Sequence, residues 1–252
     1  MKADKALLII VAGTVWASIG CNTPSSPPAQ SVPRPQSQVI QRQYPDEQAN
    51  DVARQRKSGR HQHTTASPGM FDYYLLTLSW SPEFCVSHPQ AAECNFHPAF
   101  VLHGLWPENV NGTYPENCSS APGPGNPGAF RDIFPDLHLL QHEWQTHGTC
   151  SGLSPNAYFI AARTALHEVA IPAALSTVKA PIQLAPQQII TDFAQANPGY
   201  SATNFAVTCG NNRLTAVEVC LGKDLKAVIC AGVHSCGART IKITPPGTTS
   251  DQ

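Results

Sequence analysis

The stretch "HEWQTHGTC", residues 142 to 150, gathers two histidines, a glutamate and a cysteine into nine positions of a chain in which only 13% of residues are charged. Three chemistries compete for such a cluster: a metal site, a general acid/base site, or the polar face of a solvated helix. Zinc-binding helices place their histidines four apart so that both stand on one face. Here His142 and His147 are five apart and diverge by about 140° on a regular helix. That geometry grips one ion poorly, and Cys150 is better used in a disulfide, so no metal is expected. Glu143 and His147, four apart, do share a helical face, where a carboxylate orients an imidazole or raises its pKa. His142 stands beside them at about 100° and lines the same cleft from one side.

A further histidine comes from another part of the chain. "FVLHGLWP", residues 100 to 107, puts His103 at the end of an apolar run just before Gly104, the placement of a side chain projecting from a strand end. Two histidines on different elements, one as base and one as acid, suit cleavage of a phosphodiester in which a 2′-hydroxyl loses its proton while a 5′-oxygen leaves. His88, His97, His138, His167 and His234 belong to no such cluster and are expected in the core or on the surface.

The elements that must position these groups follow from pattern. "FDYYLLTLSW" from Phe71 is rich in aromatic and β-favouring residues and reads as a largely buried strand. Ser154-Pro155 supplies an N-cap and a first-turn proline, after which Phe159, Ala162, Leu166 and Val169 recur at helical spacing. Pro186 opens a second helix, "PQQIITDFAQA", which stops at Asn197-Pro198-Gly199. "LTAVEVCL", "KAVICA" and "TIKIT" then read as strands between Gly and Asn turns. A strand, then helices, then strands predicts an α+β fold: a mixed or antiparallel central sheet with helices packed on it. No internal repeat is present.

The N-terminal part has a different character. Two lysines precede an apolar run from Ala6 to Gly20, which is the pattern of an export signal and too short for a membrane span. Ser18-Ile19-Gly20-Cys21 resembles a bacterial lipobox, in which the cysteine is lipidated and becomes the new first residue; cleavage near Ala17 with free secretion is the alternative. Residues 22–69 hold Pro-rich and Gln-rich stretches and the basic run "RQRKSGRHQH", too poor in large apolar side chains to offset the entropy of ordering, and read as a tether. Residues 70–245 form the folded domain, and 246–252 a flexible tail. From Pro68 onward eight Lys and Arg face thirteen Asp and Glu, a net of −5. Such a domain is a poor nonspecific binder of a polyanion, so any nucleic acid must be held by a local site or at a pH where histidines carry charge. Without Cys21 the nine cysteines become eight, Cys85, Cys94, Cys118, Cys150, Cys209, Cys220, Cys230 and Cys236, enough for four disulfides in an oxidising compartment. Their spacing alone leaves 105 pairings open.

"FVLHGLWP" and "HEWQTHGTC", some 40 residues apart, together resemble the two active-site segments of the ribonuclease T2 family, whose patterns run approximately H-G-L-W-P and H-E-W-x-K-H-G-T-C. The likeness extends to "FDYYLLTLSWSPEFC", "GTYPENC" and "NRLTAVEVCLGKDL", and covers about residues 70 to 240. It implies an endoribonuclease of single-stranded RNA with His147 as base, His103 as acid, Glu143 assisting at the phosphorane and holding His147, and His142 binding phosphate. The product would be a 2′,3′-cyclic phosphate, later hydrolysed to a 3′-phosphate. DNA lacks the nucleophile, and no cofactor or metal is implied. Trp106 and Tyr114 fall where the family stacks a base, and Glu108 where it contacts that base's edge. The resemblance also implies the pair Cys118–Cys150, with Cys85–Cys94, Cys209–Cys236 and Cys220–Cys230 completing the set. Thr146 departs from the pattern, standing where lysine is usual, so a slower enzyme is expected. The rival reading is an RNA-binding envelope protein that has lost turnover; a third is an inhibitor-regulated toxin. A monomer in the periplasm or cell envelope, held by lipidated Cys21, is the expectation. Asn111 and Asn117 begin glycosylation sequons that matter only in a eukaryotic secretory route.

Overall fold

The computed structural model describes residues 63, 64, 66–96 and 98–247. The export signal, lipidated Cys21, most of the tether, His97 and the last five residues lie outside the described residues. In chain order the elements are β1 (His63–Thr64), β2 (Tyr73–Trp80), α1 (Ser81–Ser87), β3 (Phe100–Glu108), β4 (Tyr114–Pro115), α2 (Leu137–Thr146), α3 (Pro155–Glu168), α4 (Ala173–Ser176), β5 (Ile182–Leu184), α5 (Pro186–Ala196), β6 (Phe205–Gly210), β7 (Arg213–Leu221) and β8 (Ile241–Ile243). The expected α+β class with a mixed sheet is what forms. β3, β2, β7, β8 and β5 follow one another and β6 adds to β7. Within this sheet all pairings are antiparallel except β7 with β8; β1 and β4 form a separate parallel pair.

β2 lies between β3 and β7 and buries both of its faces. Register puts Leu76 beside Leu105 and Val219, and Leu78 beside Leu102 and Val217; with Tyr74 and Trp80 these join the main core. On the opposite face Leu75 meets Trp106 and Cys220, and Thr77 meets Gly104 and Glu218. The helices close the main core. α3 is capped by the Ser154 hydroxyl, which accepts from Ala157 N–H at 3.4 Å, and buries Tyr158, Phe159, Ala162 and Ala165. α5 inserts Ile189, Ile190 and Phe193, and its C-cap Asn197 donates to Phe193 and Ala170 carbonyls while accepting from Ala170 N–H.

Two expectations change, and one strand was not expected. "KAVICA" forms no strand: only Ala227 bridges to Leu221. Leu225 takes a positive φ of 62° and Cys220–Cys230 folds the segment back, so its amides go singly to Cys220 and Thr203 carbonyls. β5 carries no alternating pattern, being exposed, and pairs only with β8. The end of the segment read as a tether joins the fold before Phe71: β1 pairs with β4, Gly69 N–H donates to the Cys150 carbonyl and Lys223 Nζ to the Gly69 carbonyl. All four expected disulfides are present.

Candidate active site

α2 begins at Asp136, whose carboxylate accepts from His138 N–H at 2.8 Å, and ends at Thr146, where the chain tightens into a 3₁₀ turn, Gly148–Cys150. Leu140 and Trp144 anchor its inner face. The Trp144 indole donates to the Ala121 carbonyl at 2.8 Å. A side chain at Gly148 would strike the rings of Trp144 and Tyr158, so glycine lets the turn pack flat. Cys118–Cys150 ties this turn to the loop after β4. His147 therefore sits at a helix exit that is held from three sides, and is only 8% exposed.

His147 still donates its backbone N–H to the Glu143 carbonyl at 3.1 Å, yet the side chains close the divergence expected for a regular helix. One nitrogen each of His142 and His147 and one oxygen of Glu143 lie within 4.8 Å of one another. That spacing corrects the geometric objection to a shared charged ligand: the three converge on a space fit for one small ion or one phosphoryl group. His103 enters the same space from the sheet. Its strand is longer than expected, and His103 is in the middle of β3 rather than at an end. Thr77 pairs with Gly104 and Leu78 with Leu102, so His103 is the extra residue of a β-bulge, a device that re-aims a side chain at the cost of one ladder position.

Glu143 is fully buried. Its Oε2 accepts from the Trp106 indole N–H at 2.7 Å, and its Oε1 lies 3.8 Å from His103 Nε2. Helical spacing placed this carboxylate on His147; the fold turns it toward His103 and Trp106 as well. Gly104 is what permits it, since a Cβ there would collide with both Glu143 and the Trp106 indole. The Trp106 ring stands edge-on to His103 at 5.1 Å and stacks at 27° on His147 at 5.0 Å. Burial pushes His147 well below its usual pKa, and the charges of His142 and His103 push it further. Its Nδ1 has no hydrogen-bond partner among the described residues. Nearby, burial and then the Glu143 charge raise Tyr158 well above its ordinary range, so its hydroxyl stays protonated and donates to the Leu105 carbonyl at 2.8 Å.

The arrangement holds a neutral buried imidazole opposite a second imidazole in contact with a carboxylate, with a third histidine at the rim. Residues 71–236 match the Ribonuclease T2 family. The chain belongs to that family. Among sequence relatives of this ribonuclease T2 member, "Ribonuclease" of Aeromonas hydrophila is 45% identical over 92 residues, 36% of this chain and 42% of the relative. "Ribonuclease DdI" of Dictyostelium discoideum is 29% identical over 193 residues, 66% of this chain and 81% of the relative. The alignment with the Aeromonas protein thus spans less than half of that protein's length. Among solved structures, the RNase-related protein from Calystegia sepium superposes with a TM-score of 0.56 at 22% identity, covering 74% of this chain and 98% of that one. RNase NT, solved in complex with 5′-AMP, gives 0.54 at 22% identity, with 70% and 98% covered. These likenesses show the fold.

The ribonuclease T2 fold brings His103, His142, Glu143, His147 and Trp106 together. Glu108 follows Trp106 by two residues on the same face of β3 and Tyr114 is in β4, each buried to 6% exposure. Sequence reasoning missed Thr77, Ser79 and Glu218, the polar residues on the site face of the sheet. The signal was present: in "YYLLTLSW" the only two hydroxyl side chains after the tyrosines are two apart, and so share a face.

Proposed function

We propose that this family member is an endoribonuclease that cleaves single-stranded RNA by general acid/base transphosphorylation without a metal. His147, kept neutral by burial, takes the proton of the 2′-hydroxyl. The 2′-oxygen attacks phosphorus, the bond from phosphorus to the 5′-oxygen breaks, and His103 delivers the Nε2 proton to that leaving oxygen. Glu143, with one oxygen on Trp106 and the other facing His103, balances the charge of the protonated imidazole, and His142 binds the phosphoryl group. The 2′,3′-cyclic phosphate is then hydrolysed to a 3′-phosphate with the two histidines in exchanged roles. A base stacks at Trp106 and Tyr114, with Glu108 on its edge. The observation that carries this reading is the convergence of buried His147 with His142 and Glu143 within 4.8 Å, while His103 Nε2 lies 3.8 Å from the same carboxylate.

We further place the protein in the bacterial envelope, exported and held by lipidated Cys21, or else secreted. Four disulfides support an oxidising compartment. The test is cleavage of a short RNA from pH 4 to 8 with EDTA present, beside His147→Ala and a DNA strand of the same sequence. Cyclic-phosphate ends produced only by the wild type, and only from RNA, are expected. RNA that is bound but uncut at every pH would overturn the reading in favour of a binding module.

A further inference from the structure

His103 is the extra residue of the β3 bulge, and a bulge re-aims the side chain that it inserts. Contacts from two elements set its ring. On β2, Ser79 lies opposite Val101 and Ala216, two side chains with no polar atom to compete for its hydroxyl. Ser79 Oγ is 3.3 Å from His103 Nδ1. The other ring nitrogen, Nε2, faces Glu143 at 3.8 Å, and Trp106 closes the ring edge-on. His103 is thus gripped at Nδ1 from the sheet and at Nε2 from α2.

We propose that Ser79 is a positioning residue that accepts a hydrogen bond from His103 Nδ1–H and thereby keeps the transferable proton on Nε2, the nitrogen facing Glu143. This rests on the acid role given to His103 above. A hydroxyl accepts as well as donates, so the bond survives in both protonation states. In the imidazolium, Nδ1–H donates to Ser79 and Nε2–H is free to leave; in the neutral ring, Nδ1–H still donates and the Nε2 lone pair faces the cleft, ready to take a proton back. A neutral acceptor on Nδ1–H also favours the imidazolium, and so extends the pH range over which the acid is armed. Among the described residues, the ionisable groups around His103 are His142 and Glu143 on α2, His147 just beyond its C-terminal end, and on β7 Glu218, which pairs with Thr77 one step along the same face. A serine contributes no charge of its own, so its effect is separable from theirs.

The test is nitrogen-15 NMR of the whole protein from pH 4 to 8, with His103 assigned by a His103→Gln variant. In the wild type the neutral ring is expected as the Nδ1–H tautomer. Ser79→Ala is expected to mix the tautomers, to lower the His103 midpoint by about half to one pH unit, the amount by which a charge-assisted bond to the imidazolium exceeds the bond to the neutral ring, and to draw the alkaline limb of kcat down equally with KM little changed. Ser79→Thr, which keeps the hydroxyl, holds both limb and midpoint. A neutral wild-type ring protonated on Nε2 would overturn the proposal without recourse to any variant, as would a Ser79→Ala midpoint equal to wild type or a Ser79→Thr shift as large as that of alanine. A wild type that cuts no RNA defeats the functional reading instead, and the NMR result still decides the role of Ser79.

Discussion

The two faces of β2 differ in what they ask of their neighbours. Tyr74, Leu76, Leu78 and Trp80 on one face meet aliphatic and aromatic side chains from β3, β7 and the helices; any well-shaped apolar neighbour serves. On the other face Leu75 and Thr77 meet Trp106, Gly104 and Glu218, and Ser79, opposite Val101 and Ala216, reaches His103 Nδ1 at 3.3 Å; there the identity of each atom matters. Thr77 Oγ1 is buried with no hydrogen-bond partner among the described residues, a cost an apolar face never carries. The core face is about volume, while the site face tolerates local expense to set the position of protons.

The contrast breaks most sharply at His147. His147→Ala is expected to lower RNA cleavage by about a hundred- to ten-thousand-fold, the usual range for a lost general base, while thermal unfolding shifts little; a comparable loss of both would place His147 with the core. Leu76→Ala should do the reverse, costing about 2 to 5 kcal/mol of stability and leaving kcat per folded molecule unchanged, as read by denaturant titration beside active-site counting. Restoring the usual lysine by Thr146→Lys is expected to raise kcat about tenfold or more, a part of what a preorganised donor supplies. An unchanged or lower kcat would show that the site already balances the phosphorane charge.

The smallest effect is on pH and stability. His147 has a folded pKa depressed below its unfolded value. As pH falls through about 6.5 the unfolded chain takes up the proton first, so stability is full above that pH and is lost progressively toward the folded pKa. The melting temperature should be lower at pH 5 than at pH 7, and His147→Asn should make that difference smaller. An equal difference in the variant would assign the slope to other histidines.

Much of this was readable without coordinates where the signal was local. Ser154-Pro155 and Pro186 marked helix starts because a cap and a fixed φ act within one turn. The buried strand at Tyr73–Trp80 was readable from its aromatic and β-favouring content. "KAVICA" misled because its composition favours a strand, whereas the Cys220–Cys230 link and the turn at Leu225 leave it no partner to pair with. His103 was singled out by its motif, yet its place in a bulge was hidden, since a bulge is a mismatch between two strands and exists in neither alone.

By itself, then, the amino-acid order determined which groups are available for chemistry: three histidines and a glutamate in two short motifs, with eight cysteines to brace them. Only the tertiary structure decided how they are used. It brought His142, Glu143 and His147 together at the end of α2, turned Glu143 toward His103 and Trp106, and set Ser79 behind the ring. Distances of this kind depend on where a helix stops and on how two strands register, and both are settled by packing among residues far apart in the chain.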